Sequence, residues 1–424
     1  MRLIVAVLCA LALTAHAQQK EIKIGFIYDL TGPFAGGGSE PAQIGTKAAV
    51  DYFNEKGGVM GYKINAIFAD AQSKVDVAIN EMTRLLDQER VDLVAGVYSS
   101  AQCVPMVQQV DQRKKFLWLN VCISTAVFKD KKLNYVFRPQ AHSDQFGAAS
   151  CDYINAYAKS KLRAEPKNVR VAIIHEDGAY GVGVAAGNEA QCKKHGMNIV
   201  LKEGYSATAP DLSPLVTKLK RARPDVLLHT GYNPDITLFL RQSKEQGFRV
   251  KVIIGHGAGH SQIDKLRQSF GDDVNYFHTI DPPASQMLEP KTLKPGVWDM
   301  TQEMVKRYEK VKGPGELPPH VSMGFNNTWI LLNDILPRAI KKHGGYDAEA
   351  LRKAALETDI PVGGTMQGYG VKFYPPGHQL AGQNERAFPV VIQFVNGRGR
   401  IAWPKEIQGT DPVLPFPKGH AFAQ

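Results

Sequence analysis

Residues 20–120 alternate strand, helix, strand, helix, strand, helix, strand, and residues 169–270 run through the same series again. Alternation of this kind predicts parallel sheets joined by right-handed helical crossovers. Its duplication predicts an α/β protein of two doubly wound parallel-sheet lobes. Loops rich in Tyr, Ser and Gly fall where strands end in both halves. An open parallel sheet binds ligands at the carboxyl ends of its strands, so two such sheets facing each other make a ligand cleft.

The first strand covers residues 21–27, and Thr31-Gly32-Pro33 breaks it, with Gly36, Gly37 and Gly38 keeping the loop open. A helix over 41–55 stops at Gly57-Gly58. Ile64, Ala66 and Phe68 share one face of a second strand. Val75, Ala78, Ile79, Met82, Leu85 and Leu86 then form the core stripe of a helix. Further strands lie at 93–97 and 116–120. The segment 135–139 reads as a crossing to the second half, with strands at 169–174, 198–203, 226–229 and 250–254. Asp281-Pro282-Pro283 reads as a second crossing and 368–374 as a third. Helices are predicted at 297–312 and 322–343, and a hairpin of 388–394 with 400–403 turns at Asn396-Gly397. Three crossover segments therefore divide the chain into a first lobe of 18–139 with 283–366 and a second of 140–282 with 367–424.

Residues 1–17 read as a cleaved signal peptide. Arg2 precedes an apolar run of about eleven residues, and Ala15-His16-Ala17 places small residues where a signal peptidase reads. The run is too short to span a bilayer. Export puts Cys103, Cys122, Cys151 and Cys192 in an oxidising compartment, where an even number favours disulfides. Three pairings are open, and pairs within each half are favoured; free buried thiols are the alternative. The net charge of +10 is spread over helices without a long basic run, which argues against nucleic acid.

Motifs for other chemistry are incomplete. The run from Gly255 to His260 begins like a dinucleotide fingerprint, but His260 stands where its third glycine belongs. The triplet at 36–38 lacks the Gly-Lys-Ser/Thr ending of a phosphate loop. Glycines between His256 and His260 argue for a loop, not a metal-binding helix face. No Gly-x-Ser-x-Gly elbow occurs, and no nearby histidine marks Ser99 or Ser100 as a nucleophile. No catalytic residue, metal or cofactor is expected.

Several segments together carry a resemblance. They are Thr31-Gly32-Pro33-Phe34-Ala35, the run from Asn54 to Gly61, Val136-Phe137-Arg138, Tyr180-Gly181, Asp211-Leu212-Ser213-Pro214-Leu215 with Lys218-Leu219-Lys220, and Gly231-Tyr232-Asn233-Pro234-Asp235 with Leu240-Arg241-Gln242. In order and spacing the chain resembles a periplasmic solute-binding protein of the leucine/isoleucine/valine-binding type, serving an ABC importer. The resemblance covers most of the mature chain. It implies the type I periplasmic binding fold, a periplasmic monomer that is not an enzyme, one small carboxylate ligand, and a membrane permease as partner. It also implies that the ligand carboxylate is held by the loop of Tyr98, Ser99 and Ser100 and by the loop of Cys122, Ser124 and Thr125. Exposed N–H groups and hydroxyls after strands can wrap an anion. Tyr180 and Tyr232 match aromatics that close over the ligand.

One departure bears on the ligand. Amino-acid binders of this family carry a glutamate after the strand at 250–254, whereas here His256-Gly257-Ala258 follows. An unpaired buried ammonium is costly. Asp29, Asp70 and Asp281 are substitutes, none at the matching place. The expectation is therefore a carboxylate without an ammonium, an aromatic or other hydrophobic acid, with His256 donating to its distal polar group; a branched-chain amino acid is the competing ligand. An exported enzyme using the same cleft and a ligand-sensing protein are the rival functions.

Overall fold

The computed structural model describes residues 20–424, and the leader over residues 1–17 lies outside the described residues. The first sheet is built from β1 (Glu21–Tyr28), β2 (Lys63–Asp70), β3 (Leu93–Gly96), β4 (Phe116–Leu119) and β5 (Val136–Phe137). Its order is β2-β1-β3-β4-β5, parallel throughout. Three crossover helices, α1 (Ser39–Glu55), α2 (Val75–Asp87) and α3 (Ser100–Gln112), connect the strands. Helices on both faces explain why β3 and β4 are buried along their whole length.

After α4 (Ser143–Tyr157) the pattern repeats. The second sheet takes β6 (Arg170–Glu176), β7 (Asn198–Tyr205), β8 (Val226–Thr230), β9 (Val252–His256) and β10 (His278–Asp281), with α5 (Ala179–Lys194), α6 (Ser213–Ala222), α7 (Asn233–Glu245) and α8 (Ile263–Phe270) between them. The chain then returns to the first lobe as α9 (Val297–Lys312), α10 (Pro319–Ile330), α11 (Leu336–His343) and α12 (Ala348–Leu356). A final hairpin, β11 (Val390–Val395) and β12 (Arg398–Trp403), joins the second sheet beside β10, giving β12-β11-β10-β9-β8-β6-β7. Within the two sheets β2-β1-β3-β4 and β7-β6-β8-β9 have the same topology, the predicted duplication.

Some elements differ from the sequence reading. The first crossing also contributes a strand, because Val136 and Phe137 pair with Leu117 and Trp118. β9 starts two residues later than expected, and Val250 and Lys251 bond the C-terminal tail instead, through Phe422 and Phe416. That shift puts His256 inside a strand. The helix predicted from 322 starts at Pro319 and is interrupted by a wider turn over residues 331–335. The hairpin turn is as read: Asn396 and Gly397 have φ of 50° and 71°, the left-handed pair that a two-residue turn requires. Phe373 packs on Trp118 and Phe137 of the first lobe, with ring centroids 5.8 and 5.2 Å away, and the chain enters the second sheet only at Val390.

Close helix contacts depend on glycine. Gly45 of α1 faces the Val321 carbonyl and Gly324 of α10 faces the Ala42 carbonyl, and a Cβ at either would strike backbone. Gly147 allows the same approach of α4 to α5, which the Cys151–Cys192 disulfide also joins, with Cα atoms 5.1 Å apart. The other disulfide, Cys103–Cys122, ties α3 to the loop after β4. Both lie within one half of the chain.

Arg138 stands where the first and third crossings run side by side, with 0% exposure. Its Nε donates to Gln383 Oε1 at 2.6 Å, and its Nη1 donates to the carbonyls of Ser124 at 2.8 Å and Cys122 at 3.2 Å. The guanidinium also lies 5.1 Å from the Phe128 ring centroid. Burial lowers its pKa to about 9, still above physiological pH. Asn384 completes the seam by donating to the Pro139 carbonyl at 2.6 Å. Arg138→Ala strands these carbonyls and is expected to lower the unfolding free energy by about 3–5 kcal/mol. Urea denaturation checks this, and an unchanged midpoint would refute the role.

Candidate functional site

Each sheet has a point where neighbouring strands send their chains to opposite sides, between β1 and β3 in one and between β6 and β8 in the other. The loops after β3 and β8 face each other there. Between them lies a cavity of about 340 Å³. The first lobe lines it with Tyr98, Ser100, Val121, Ile123, His320 and Met323. The second lines it with Phe146, Tyr180, Tyr232, Gly257, Ala258 and Asp281. The lobes touch above it: the rings of Phe34 and Tyr232 stack with centroids 4.0 Å apart, and Lys265 Nζ donates to the Gly36 carbonyl. A larger recess of about 770 Å³ lies alongside, bounded by Gln262, whose amide is 3.4 Å from His320 Nδ1. Its wall includes the Lys312–Glu40 ion pair and it lacks Tyr98, Tyr180 and Tyr232, so the smaller cavity is the candidate site.

The structure brings together Tyr98, Ser100, Tyr180 and Tyr232 of the residues expected from sequence. Ser99 stands one step behind, its Oγ 3.3 Å from the Tyr232 hydroxyl. The second loop is placed differently. Cys122 is taken by its disulfide, and the Ser124 hydroxyl accepts from Ala126 N–H at 3.3 Å. Thr125 Oγ1 donates to Asp144 Oδ1 at 2.8 Å, between the lobes' connecting segments. Alternate side chains point alternate ways along this stretch, so Val121 and Ile123 present theirs to the cavity. His256 is also turned away: its ring nitrogens lie 2.9 Å from Thr230 Oγ1 and 3.2 Å from Ser150 Oγ, and only its carbonyl meets Tyr180, whose hydroxyl donates to it.

Asp281 enters the cavity that His256 leaves. Ile280 pairs with His256 across the sheet, so Asp281 lies one residue beyond, beside Gly257. It is 1% exposed and its Oδ2 has no hydrogen-bond partner among the described residues. Burial pushes its carboxyl up to about 7, with the Ser261 hydroxyl opposing. The other buried acids of the second lobe cap their own helices. Glu176 accepts from Gly178 N–H at 2.6 Å and from Gly181 N–H at the start of α5. Asp235 accepts from Tyr232 N–H at 2.9 Å at the start of α7 and from the Tyr205 hydroxyl at 2.7 Å. In the first lobe α3 starts at Ser100 with no acid in its first turn. Burial raises Tyr98, Tyr180 and Tyr232 well above the usual phenol range, so all three stay neutral. His320, carried in by α10, is lowered to about 4 by burial and is neutral too. Neither Ser99 nor Ser100 has a base: the Ser100 hydroxyl accepts from Ser124 N–H at 3.2 Å. The arrangement can bind an anion on one side and a donor on the other across aromatic walls.

Comparison with known proteins agrees with the two-lobed fold. Residues 21–389 match the periplasmic binding protein family. Leu/Ile/Val-binding protein homolog 7 of Brucella abortus (strain 2308) is 31% identical over 413 residues, spanning 97% of this chain and 99% of the relative. Among solved structures, the branched-chain amino acid transporter substrate binding protein LivJ from Streptococcus pneumoniae, in complex with isoleucine, superimposes with a TM-score of 0.72 at 20% identity, covering 90% of this chain and 98% of that one. A solute binding protein of an ABC transporter from Rhodopseudomonas palustris BisB5, in complex with 3,4-dihydroxy benzoic acid, gives 0.70 at 18% identity, covering 89% and 95%.

The Asp281 environment has a pH signature. The folded pKa is raised, so without ligand the folded and unfolded chains carry the same proton below the ordinary 3.8. Between 3.8 and about 7 only the unfolded state ionises, and stability falls as pH rises through that window. Asp281→Asn removes the penalty. Its stability gain over wild type, followed by chemical denaturation, is expected to grow from pH 4 to pH 7 and level off above, by up to about 4 kcal/mol. A pH-independent difference would show that this carboxyl is not perturbed.

Proposed function

This chain belongs to the periplasmic binding protein family, and we propose that it is the substrate-binding component of an ABC importer that captures one small carboxylate with a hydrophobic body. An aromatic or other hydrophobic acid, or a branched-chain amino acid, has that form. The observation that carries this reading is the aromatic-walled cavity lined by strand-end loops of both lobes. Ser100 offers a hydroxyl at the start of α3, a helix end with no acid in its first turn, which favours an anion. Tyr98, Tyr180, Tyr232 and Phe146 supply flat walls, with Val121, Ile123 and Met323 filling the rest. Isoleucine and 3,4-dihydroxy benzoic acid, the ligands of the two solved relatives, are both carboxylates on apolar bodies. A ligand that touches both lobes binds the closed arrangement better than an open one, which is what drives hinge closure.

On this reading the leader at residues 1–17 exports the chain to the periplasm. The protein acts as a monomer that delivers its ligand to a membrane permease, and the ligand leaves chemically unchanged. The exported-enzyme alternative requires altered product after incubation, which mass spectrometry of recovered ligand detects.

A thermal-shift screen of amino acids and of benzoate- and phenylpropanoate-like acids is expected to give hits among carboxylates with apolar bodies. A ligand at 100 times its dissociation constant stabilises by about 2.7 kcal/mol. Hits confined to solutes without a carboxylate would overturn the proposal. Ser100→Ala is expected to weaken binding by about 1–3 kcal/mol in calorimetry. Ser124→Ala, whose hydroxyl turns away from the cavity, is expected to change affinity less, and the reverse order would relocate the anion site.

A further inference from the structure

We propose that Gln262 and His320 form a gate that sets the length of ligand this protein accepts, by closing the small cavity off from the larger recess beside it. This goes beyond the carboxylate-capture reading and rests on it. His320 lines the cavity and not the recess, whereas Gln262 lines the recess and not the cavity. Their side chains meet between the two, with the Gln262 amide nitrogen 3.4 Å from His320 Nδ1. Both residues are buried, at 5% and 3% exposure.

The pair takes one residue from each lobe. Gln262 immediately precedes α8 of the second lobe. His320 lies in the first turn of α10, which packs closely on α1 of the first. The gate therefore exists only when the lobes are together, and a bound ligand meets it as the cleft closes. The neighbouring part of the wall is different in kind. Ser261 Oγ lies 3.1 Å from Thr279 Oγ1, and both belong to the second lobe, so that contact persists whatever the lobes do. On the other side Tyr98 braces His320, their ring centroids 5.8 Å apart and their planes at 63°.

A single contact holds the gate. Neither side chain makes another hydrogen bond among the described residues. Burial keeps His320 neutral, so the contact lacks the added strength of an ionised partner. A ligand that ends within the cavity leaves the pair intact. One whose body runs past His320 must part it and leave a buried amide and imidazole unpaired, a penalty that falls on long ligands alone. Room is not what excludes them. The recess holds about 770 Å³ against about 340 Å³ in the cavity, and Ile263, Met287, Leu317, Ile392 and Phe394 give it apolar walls.

The test is calorimetry on the mature protein with two series of carboxylates of growing length. One runs from benzoate through phenylpropanoate to phenyloctanoate with the ring at the chain end, and the other from aminobutyrate to aminodecanoate as straight-chain α-amino acids. In wild type the longest members of the series that binds are expected to fall below its best short member by roughly ten- to a hundredfold. In Gln262→Ala and in His320→Ala, with folding checked by circular dichroism, the ratio of long-chain to short-chain affinity is expected to rise by about tenfold or more. A merely structural loss weakens long and short members alike and leaves that ratio where it stood. Either variant alone decides the matter if the other fails to fold. Equal binding of the longest and shortest members by wild type, or an unchanged ratio in the folded variants, would overturn the gate and leave carboxylate capture intact. Failure of every member of both series to bind would overturn both.

Discussion

A buried guanidinium with no carboxylate in ion-pair contact among the described residues, that of Arg138, ties the first crossing to the third and to the loop after β4. Its Nε and Nη1 donate to one amide oxygen and two carbonyls, of Gln383 in the third crossing and of Cys122 and Ser124. Those carbonyls belong to the loop after β4, which also forms part of the cavity wall through Val121 and Ile123. Hinge and site thus share a backbone stretch. The Phe34–Tyr232 stack and the Lys265–Gly36 contact join the two lobes elsewhere, away from the Arg138 cluster. On the proposed reading, closure about a ligand makes and breaks the contacts between the lobes, whereas the Arg138 cluster lies within the crossings.

The polarity of the cavity arises from how helix starts are treated. All open parallel sheets aim helix N-termini at the crevice where they bind ligands. Here the second lobe closes two of its own with Glu176 and Asp235, so those ends no longer invite an anion. In the facing lobe α3 starts at Ser100 with no side-chain cap and no acid in its first turn. On the proposed reading, Glu176 and Asp235 leave the ligand's carboxylate to the α3 side of the cavity.

Much of this was legible in the chain. The fold followed from alternation of period-two and period-3.6 segments and from its duplication, whereas Tyr98, Ser100, Tyr180 and Tyr232 were named from the family resemblance, and the structure sets all four in the cavity wall. The second half of the carboxylate loop could not be read. Whether Val121 or Cys122 faces the cavity depends on strand phase, and a disulfide had claimed Cys122. His256 was misplaced because the C-terminal tail pairs with Val250 and Lys251 and moves the strand two residues on. His320 and Met323 come from α10, far along the chain, and carried no local signal. Asp281 was visible as the residue before Pro282-Pro283, but not that the sheet register would set it beside Gly257.

The discontinuous second sheet has a consequence for the order of assembly. Strands β1 to β5 occupy residues 21–137 without interruption, whereas β10 at 278–281 pairs with β11 at 390–393. A chain emerging amino end first presents every strand of one sheet early and withholds the closing hairpin of the other until almost the last residues appear. Until then the β10 edge is open, an unpaired template exposed to other chains. Helices α9 to α12, which pack on the first lobe, precede that hairpin in the chain, so the second sheet is the one that waits on the last segment from Val390 onward.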